Sequence, residues 1–267
     1  IDTATANDSV TVGAGFTSAL AIDLDGGSVV NTVNATNYTG ALTVTATIAE
    51  MASAVMVLTG GSGSDTLTVD LATADNLVAT DLATITNFET FKTTDDNATT
   101  LTLSEANVTA GNTLTVNATS MLTSVLTFSG AAETSGSIDL SVAGTGDHVV
   151  TSLGNGNDTF TSTGTGAITV SAALAGNNTI TTGSGVDGIT GGTGDDTISS
   201  GAGIDTITFA SANFTSGDTI NAGDGVDIIS MTGDSTVIDS DFTNVTNLET
   251  LTVTGTDELV ATLGANA

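Results

Sequence analysis

The chain has 267 residues with 30 acidic side chains, one Lys or Arg and one His, for a formal net charge of −29. Nothing in it can neutralise a phosphate backbone, so a nucleic-acid partner is excluded. The absence of cysteine excludes a disulfide framework and thiol chemistry, and no apolar run approaches membrane-spanning length.

The acids comprise 24 Asp and 6 Glu. Asp favours turns, where its short side chain bonds nearby backbone, while Glu favours helices. The charge is therefore expected in turns. Adaptation to a saline setting would spread Glu along helices, so ion-linked carboxylates account better for the bias. Pro is absent, and Thr, Val and Ile abound; β-branched residues favour strands. Few aromatics and no Trp leave too little for a thick globular core. The predicted fold class is all-β, a narrow parallel β-roll or β-helix solenoid lined by Ile, Leu, Val and Ala. No composition break cuts the chain, which reads as one continuous solenoid with two modules, residues 1–140 and 141–267. It opens on Ile1 without a basic-then-apolar leader, which predicts a mature or truncated piece of something larger.

In chain order, residues 6–12 (ANDSVTV) make Asp8 an ion candidate, and residues 49–58 fit a short helix or a strand. Residues 60–68 read GGSGSDTLT, a full match to G-G-x-G-x-D-x-U-x with U a large aliphatic residue. Residues 81–91 (DLATITNFETF) and 241–251 (DFTNVTNLETL) share one pattern, and each follows a loop of that kind. They form a duplicated module in which Phe88 and Leu248 are predicted to point inward. Glu89 and Glu249 are read as solvated, bonded to a neighbouring coil, or helping to bind an ion. Between them, residues 100–104, 113–117 and 124–129 read as strands with turns near Gly111 and Gly130. There Leu101, Leu103, Leu114, Val116, Leu126 and Phe128 alternate with polar residues.

Four nine-residue units then run in register over residues 173–208: ALAGNNTIT, TGSGVDGIT, GGTGDDTIS and SGAGIDTIT. Residues 153–161 (LGNGNDTFT) and 222–230 (AGDGVDIIS) repeat the pattern, and residues 213–221 (NFTSGDTIN) are a degraded copy. Residues 143–151 (AGTGDHVVT) place His148 where the aspartate belongs.

A six-residue turn and a three-residue strand make half a coil, so two units close one coil. Equivalent residues then stack at a strand spacing of about 4.8 Å. Asp187 pairs with Asp205, and Asn178 with Asp196. If residues 209–212 bulge outward, Asp218 follows Asp196 and Asp227 follows Asp205; with a small slip, Asp158 precedes Asn178. Two columns of carboxylates result, which would repel unless a divalent cation lies between neighbours. Oxygen ligands without cysteine point to calcium. Candidate side-chain ligands are Asp65, Asp158, Asp187, Asp196, Asp205 and Asp227, with Asp218 and Asn178 in loops that lack the glycines. The loop glycines are Gly60, Gly63, Gly154, Gly156, Gly183, Gly185, Gly192, Gly194, Gly201, Gly203, Gly223 and Gly225. They are expected to turn the chain and bring carbonyls close to the ion. Ile180, Ile189, Ile198, Ile207, Ile220 and Ile229 fall at the inward position, flanked by outward Thr179, Thr181, Thr197, Thr206 and Thr208. One aliphatic residue per unit buries little surface, so coils must stack and ions must add stability.

These residues resemble the repeats-in-toxin family of calcium-binding parallel β-rolls over residues 143–230 and 60–68. Combined with Thr-rich, Lys-poor strands and the VTNLETL segment, the chain looks most like bacterial surface-layer proteins of the calcium-roll type. The resemblance implies a calcium-bound coat outside the cell and a one-step secretion route. It implies side-chain ligation by Asp65, Asp158, Asp187, Asp196, Asp205 and Asp227, with loop carbonyls completing the sites. His148, and Ala167 near the next ligand position, depart from the pattern and interrupt one column.

No catalytic apparatus is legible. His148 has no Ser–Asp partnership, no Gly-rich phosphate loop precedes a helix, and Lys92 is the only side chain suited to acidic sugars. Ten Asn-x-Ser/Thr sequons occur, among them Asn34, Asn37, Asn107 and Asn117. The expected protein is an extracellular, cell-surface structural solenoid. It would associate with itself into a lattice or filament, with a cell-surface polysaccharide as a second partner. The alternatives are an adhesin stalk and the secretion tail of an exported enzyme or toxin.

Overall fold

The computed structural model describes residues 9–24, 32–52, 56–171, 175–233, 235–254 and 259–262. Asp8 lies outside them. The chain winds into a parallel β-solenoid. One eleven-stranded sheet contains Leu20–Asp23, Leu42–Thr47, Thr66–Asp70, Thr90–Thr93, Thr113–Ala118, Ser137–Val142, Thr159–Ser162, Thr179–Thr181, Thr197–Ser199, Thr219–Asn221 and Val245–Thr246. A nine-stranded sheet contains Asp75–Leu77, Thr99–Thr102, Leu126–Ser129, Val149–Ser152, Thr169–Ser171, Gly188–Thr190, Thr206–Ala210, Ile228–Thr232 and Thr250–Thr254. A four-stranded sheet, from Ser9–Thr11 to Ile85–Thr86, serves the first coils. Pairing in the long sheet crosses residue 140 without a break, because Ser137–Val142 pairs with Thr113–Ala118 on one side and Thr159–Ser162 on the other.

Alternation of β-branched polar and aliphatic residues fixes the register, since a one-residue slip would turn every inward side chain outward. The inward residues stack into two files. One runs Val44, Leu67, Phe91, Val116, Leu140, Phe160, Ile180, Ile198, Ile220 and Val245. The other runs Leu77, Leu101, Phe128, Val150, Val170, Ile189, Ile207, Ile229 and Leu251. Every expected inward isoleucine from Ile180 to Ile229 is buried, and the flanking threonines are exposed or half-buried. Each such side chain contributes about 1.5–3 kcal/mol when buried.

Among the described residues helix is confined to single turns. The described residues of the stretch 49–58 contribute to the helical turn Ile48–Met51, held by a capping box between Thr47 and Glu50, and to the strand Val57–Thr59. The insertion at residues 209–212 does not bulge outward as a whole. Phe209 continues its strand, is fully buried and lies over Gly191, where any Cβ would overlap its ring. It packs on Phe214 at 5.4 Å between ring centroids, and Phe214 meets Phe242 at 5.2 Å. Three aromatic rings gain more from this cluster than from solvent, so only the turn after Phe209 faces water.

The duplicated module is real in three dimensions. Asn87 and Asn247 both adopt left-handed backbone, with φ 56° and 58°. Asp81 and Asp241 both accept an amide three residues earlier, from Val78 and Ile238 at 3.0 and 2.9 Å. Phe88 is buried as expected, while Leu248 is half-buried.

Candidate metal centres

The turn aspartates form two ladders, one along each side of the solenoid. On the first side, Oδ1 of Asp158 accepts the Ile138 amide at 2.7 Å, and Oδ1 of Asn178 accepts the Asp158 amide at 3.0 Å. Asp196 then accepts from Asn178, and Asp218 from Asp196, both at 2.9 Å. Asp65 begins the same file further up, accepting from Leu42 at 2.9 Å while its own amide donates to Glu89 Oε2 at 2.7 Å. On the second side, Asp187 accepts from Ile168, Asp205 from Asp187 at 2.8 Å, Asp227 from Asp205, and Glu249 Oε2 from Asp227. The expected pairings of 187 with 205, 178 with 196, 196 with 218 and 205 with 227 are all present. Glu89 and Glu249 bond the neighbouring coil in the same way.

Every rung but the one on Asn178, an amide oxygen, is a hydrogen bond from a backbone amide to a carboxylate oxygen. Such charge-assisted bonds are the stronger kind. They answer part of the repulsion that the sequence left to a cation alone. His148 takes the aspartate's place: Leu126 N–H donates to Nδ1 at 3.1 Å, and Nε2 lies 3.1 Å from Ala143 O. Those partners require Nδ1 as acceptor and Nε2 as donor. The next ligand position falls on Ile168, whose side chain is buried and apolar, so the second column is interrupted there.

The second carboxylate oxygen divides the candidates. In Asp65, Asp196 and Asp218 it accepts an amide of the residue's own turn, from Gly61 at 2.5 Å, Gly192 at 3.1 Å and Thr215 at 2.8 Å. Asn178 uses its Nδ2 on Gly176 O at 3.3 Å. In Asp158, Asp187, Asp205 and Asp227, Oδ2 is buried and has no hydrogen-bond partner among the described residues. Glu133 Oε2, absent from the repeat pattern, is in the same condition. A buried unpartnered carboxylate oxygen must find a proton or a cation. The chain supplies no counter-charge: Lys92, its single Lys or Arg, is exposed on an outer face.

Burial is the main force on these groups. It pushes Asp158 up to about 7, against the Ile138 amide and together with the nearby Glu133 carboxylate. Burial also raises Asp187, opposed by the Ile168 amide and the nearby Thr182 hydroxyl, and raises Asp205, opposed by the Asp187 amide and the nearby Ser200 hydroxyl while the carboxylates of Asp187 and Asp227 add to the shift. Both hydroxyls donate their proton to carbonyls, Thr182 to Ser200 O at 2.7 Å and Ser200 to Ala222 O at 2.6 Å. Asp196 and Asp218 are raised by burial as well, against the amides they accept.

The turn glycines allow the coils to approach. A Cβ on Gly63, Gly156, Gly183, Gly185, Gly194, Gly201, Gly203, Gly223 or Gly225 would run into the carbonyl oxygen of a glycine in the preceding coil. At Gly60 the obstacle is Asn87 O, and at Gly154 it is Glu133 Oε2. Stacked carbonyls thus line the corners beside the aspartates. Among the described residues no three His, Asp or Glu side chains converge on one point. A cation here would be held by paired carboxylates and carbonyls, the oxygen donors that suit a hard divalent ion.

The outer surface of the corners is asymmetric. Immediately before the second ladder stand Val186, Ile204 and Val226 on successive coils, exposed by 65%, 56% and 56%. Before the first ladder stand Asn157, Asn177 and Asp195, which form a polar ladder of their own at 2.8 and 3.0 Å.

Fold and site together define a parallel β-solenoid with carboxylate-lined corners. No known protein family matches the chain, and neither a curated protein nor a solved structure matches it. Among the described residues no helix is long and apolar enough to cross a membrane.

Proposed function

We propose that this chain is an extracellular structural protein, a calcium-stabilised β-solenoid that assembles with its own copies into a surface layer, sheath or filament. The observation that carries this reading is the set of buried, unpartnered oxygens on Asp187, Asp205 and Asp227, in a chain with one Lys or Arg. Oxygen ligands beside glycine carbonyls suit calcium, which extracellular modules bind at roughly 10⁻⁴ to 10⁻³ M. At cytosolic calcium these carboxylates oppose folding; outside, the ion offsets their repulsion, and folding and export are separated.

Self-association is supported by the exposed file Val186, Ile204 and Val226. Copies that each carry −29 repel almost everywhere. This uncharged file is where they meet with least repulsion, with shared calcium bridging acidic surface elsewhere. The test is chelation of assembled protein. Loss of β content by circular dichroism and dispersal of arrays in electron micrographs are the expected results. Unchanged spectra and arrays in excess chelator would overturn the reading.

A further inference from the structure

We propose that Glu133 and Asp158 form a divalent-cation site in which a loop outside the nonapeptide repeats, 130–137, meets the repeat turn 154–158. The site extends the proposed calcium binding, but it stands or falls separately from the Asp187, Asp205 and Asp227 column.

Glu133 has no counterpart in the repeat, yet it is wholly buried, and Asp158 is 1% exposed. The inner oxygens are occupied by one short stretch of backbone. Glu133 Oε1 accepts the amides of Ser135 and Gly136, and Asp158 Oδ1 accepts the amide of Ile138 at 2.7 Å. Amides clustered within four residues therefore hold both carboxylates at the same corner. The outer oxygens, Glu133 Oε2 and Asp158 Oδ2, are both buried and both lack a partner.

A notch borders Glu133 at Gly154. A methyl group built there would lie 2.9 Å from Glu133 Oε2 and 3.2 Å from Gly130 O. The φ of Gly154, +114°, also keeps this position to glycine. Gly130 O accepts the Glu133 amide at 2.9 Å and keeps a second lone pair. Two carboxylates and a carbonyl, with no nitrogen or sulfur donor, select a hard cation such as calcium over zinc.

The test is calcium titration of the full chain, after chelation and dialysis, by isothermal calorimetry. Glu133→Gln keeps the side-chain oxygen that Ser135 and Gly136 bond, so the loop should survive. It is expected to lose one calcium equivalent, or to weaken one class of sites at least tenfold. The triple variant Asp187→Asn, Asp205→Asn, Asp227→Asn is expected to keep that equivalent. Unchanged stoichiometry and affinity in Glu133→Gln would overturn the site. Terbium-soaked wild-type crystals give a check that needs no variant. An anomalous peak between Glu133 and Asp158 supports the site. Peaks only beside Asp187, Asp205 and Asp227 overturn it and leave the proposed function standing. A peak at Glu133 alone leaves this site and removes the column, and no peak overturns both.

Discussion

The amide of Asp187 donates to Oδ1 of Asp205 at 2.8 Å, so each aspartate of this column serves the coil before it with a side chain and the coil after it with its backbone. Asn178 shows that an amide oxygen can fill such a rung, since it accepts the Asp158 amide at 3.0 Å. Asp205→Asn should therefore keep the rung and lose the charge. In chelator its melting temperature is expected to equal or exceed that of the wild type, and the calcium-dependent rise in melting temperature should shrink. Asp205→Ala removes the rung as well and should cost about 1–3 kcal/mol with or without calcium. Urea titrations of both variants check the pair.

Stability should respond to pH in opposite directions with and without calcium. Asp158 is pushed from 3.8 to about 7 in the fold. Below the lower value both states hold the proton; between the two the unfolded chain ionises first. The metal-free fold should therefore lose stability as pH rises through 7. Asp187, Asp196, Asp205 and Asp218 shift in the same direction. Urea midpoints in chelator should be lower at about pH 8 than at about pH 5. Excess calcium competes with the proton and should reverse the order, because metal ligands must be deprotonated.

Gly223 tests how closely the corners stack. Its φ is +91°, and a Cβ there would collide with Gly201 O. Gly223→Ala should destabilise the fold by about 1–3 kcal/mol, read as a lower urea midpoint. Gly188, which has nothing within 4 Å of a built Cβ, is the control and should accept Ala without a comparable loss.

The exposed file offers a separable effect on assembly. Replacing Val186, Ile204 and Val226 together by Ser should leave the monomer's circular dichroism unchanged, since all three face solvent. Sedimentation in calcium should show fewer large assemblies than the wild type. Equal assembly would place the contact elsewhere.

Much of this was legible in the chain because a nine-residue period converts directly into stacking. The 18-residue offset joins Asp196 to Asn178 and Asp205 to Asp187 as the repeat requires. The burial of Ile180 to Ile229 followed from the same count. What spacing could not supply was the partner of each oxygen. Nothing in the sequence tells that Asp196 closes its own turn through Gly192 while Asp187 does not. Glu133 was illegible because its loop, GAAETSGS, has no repeat signature. The direction of Phe209 was set by Phe214 and Phe242, the latter on a distant stretch of chain that no local pattern connects to it.

The rungs span 24 residues at Asp65, 20 at Asp158, 18 at Asn178 and 22 at Asp196. Perimeter and cohesion are thus uncoupled: a loop can lengthen at a corner while its neighbours stay clipped to it. The turn following Phe209 already does this, and it marks where foreign peptide could be spliced in and displayed without unthreading the coil.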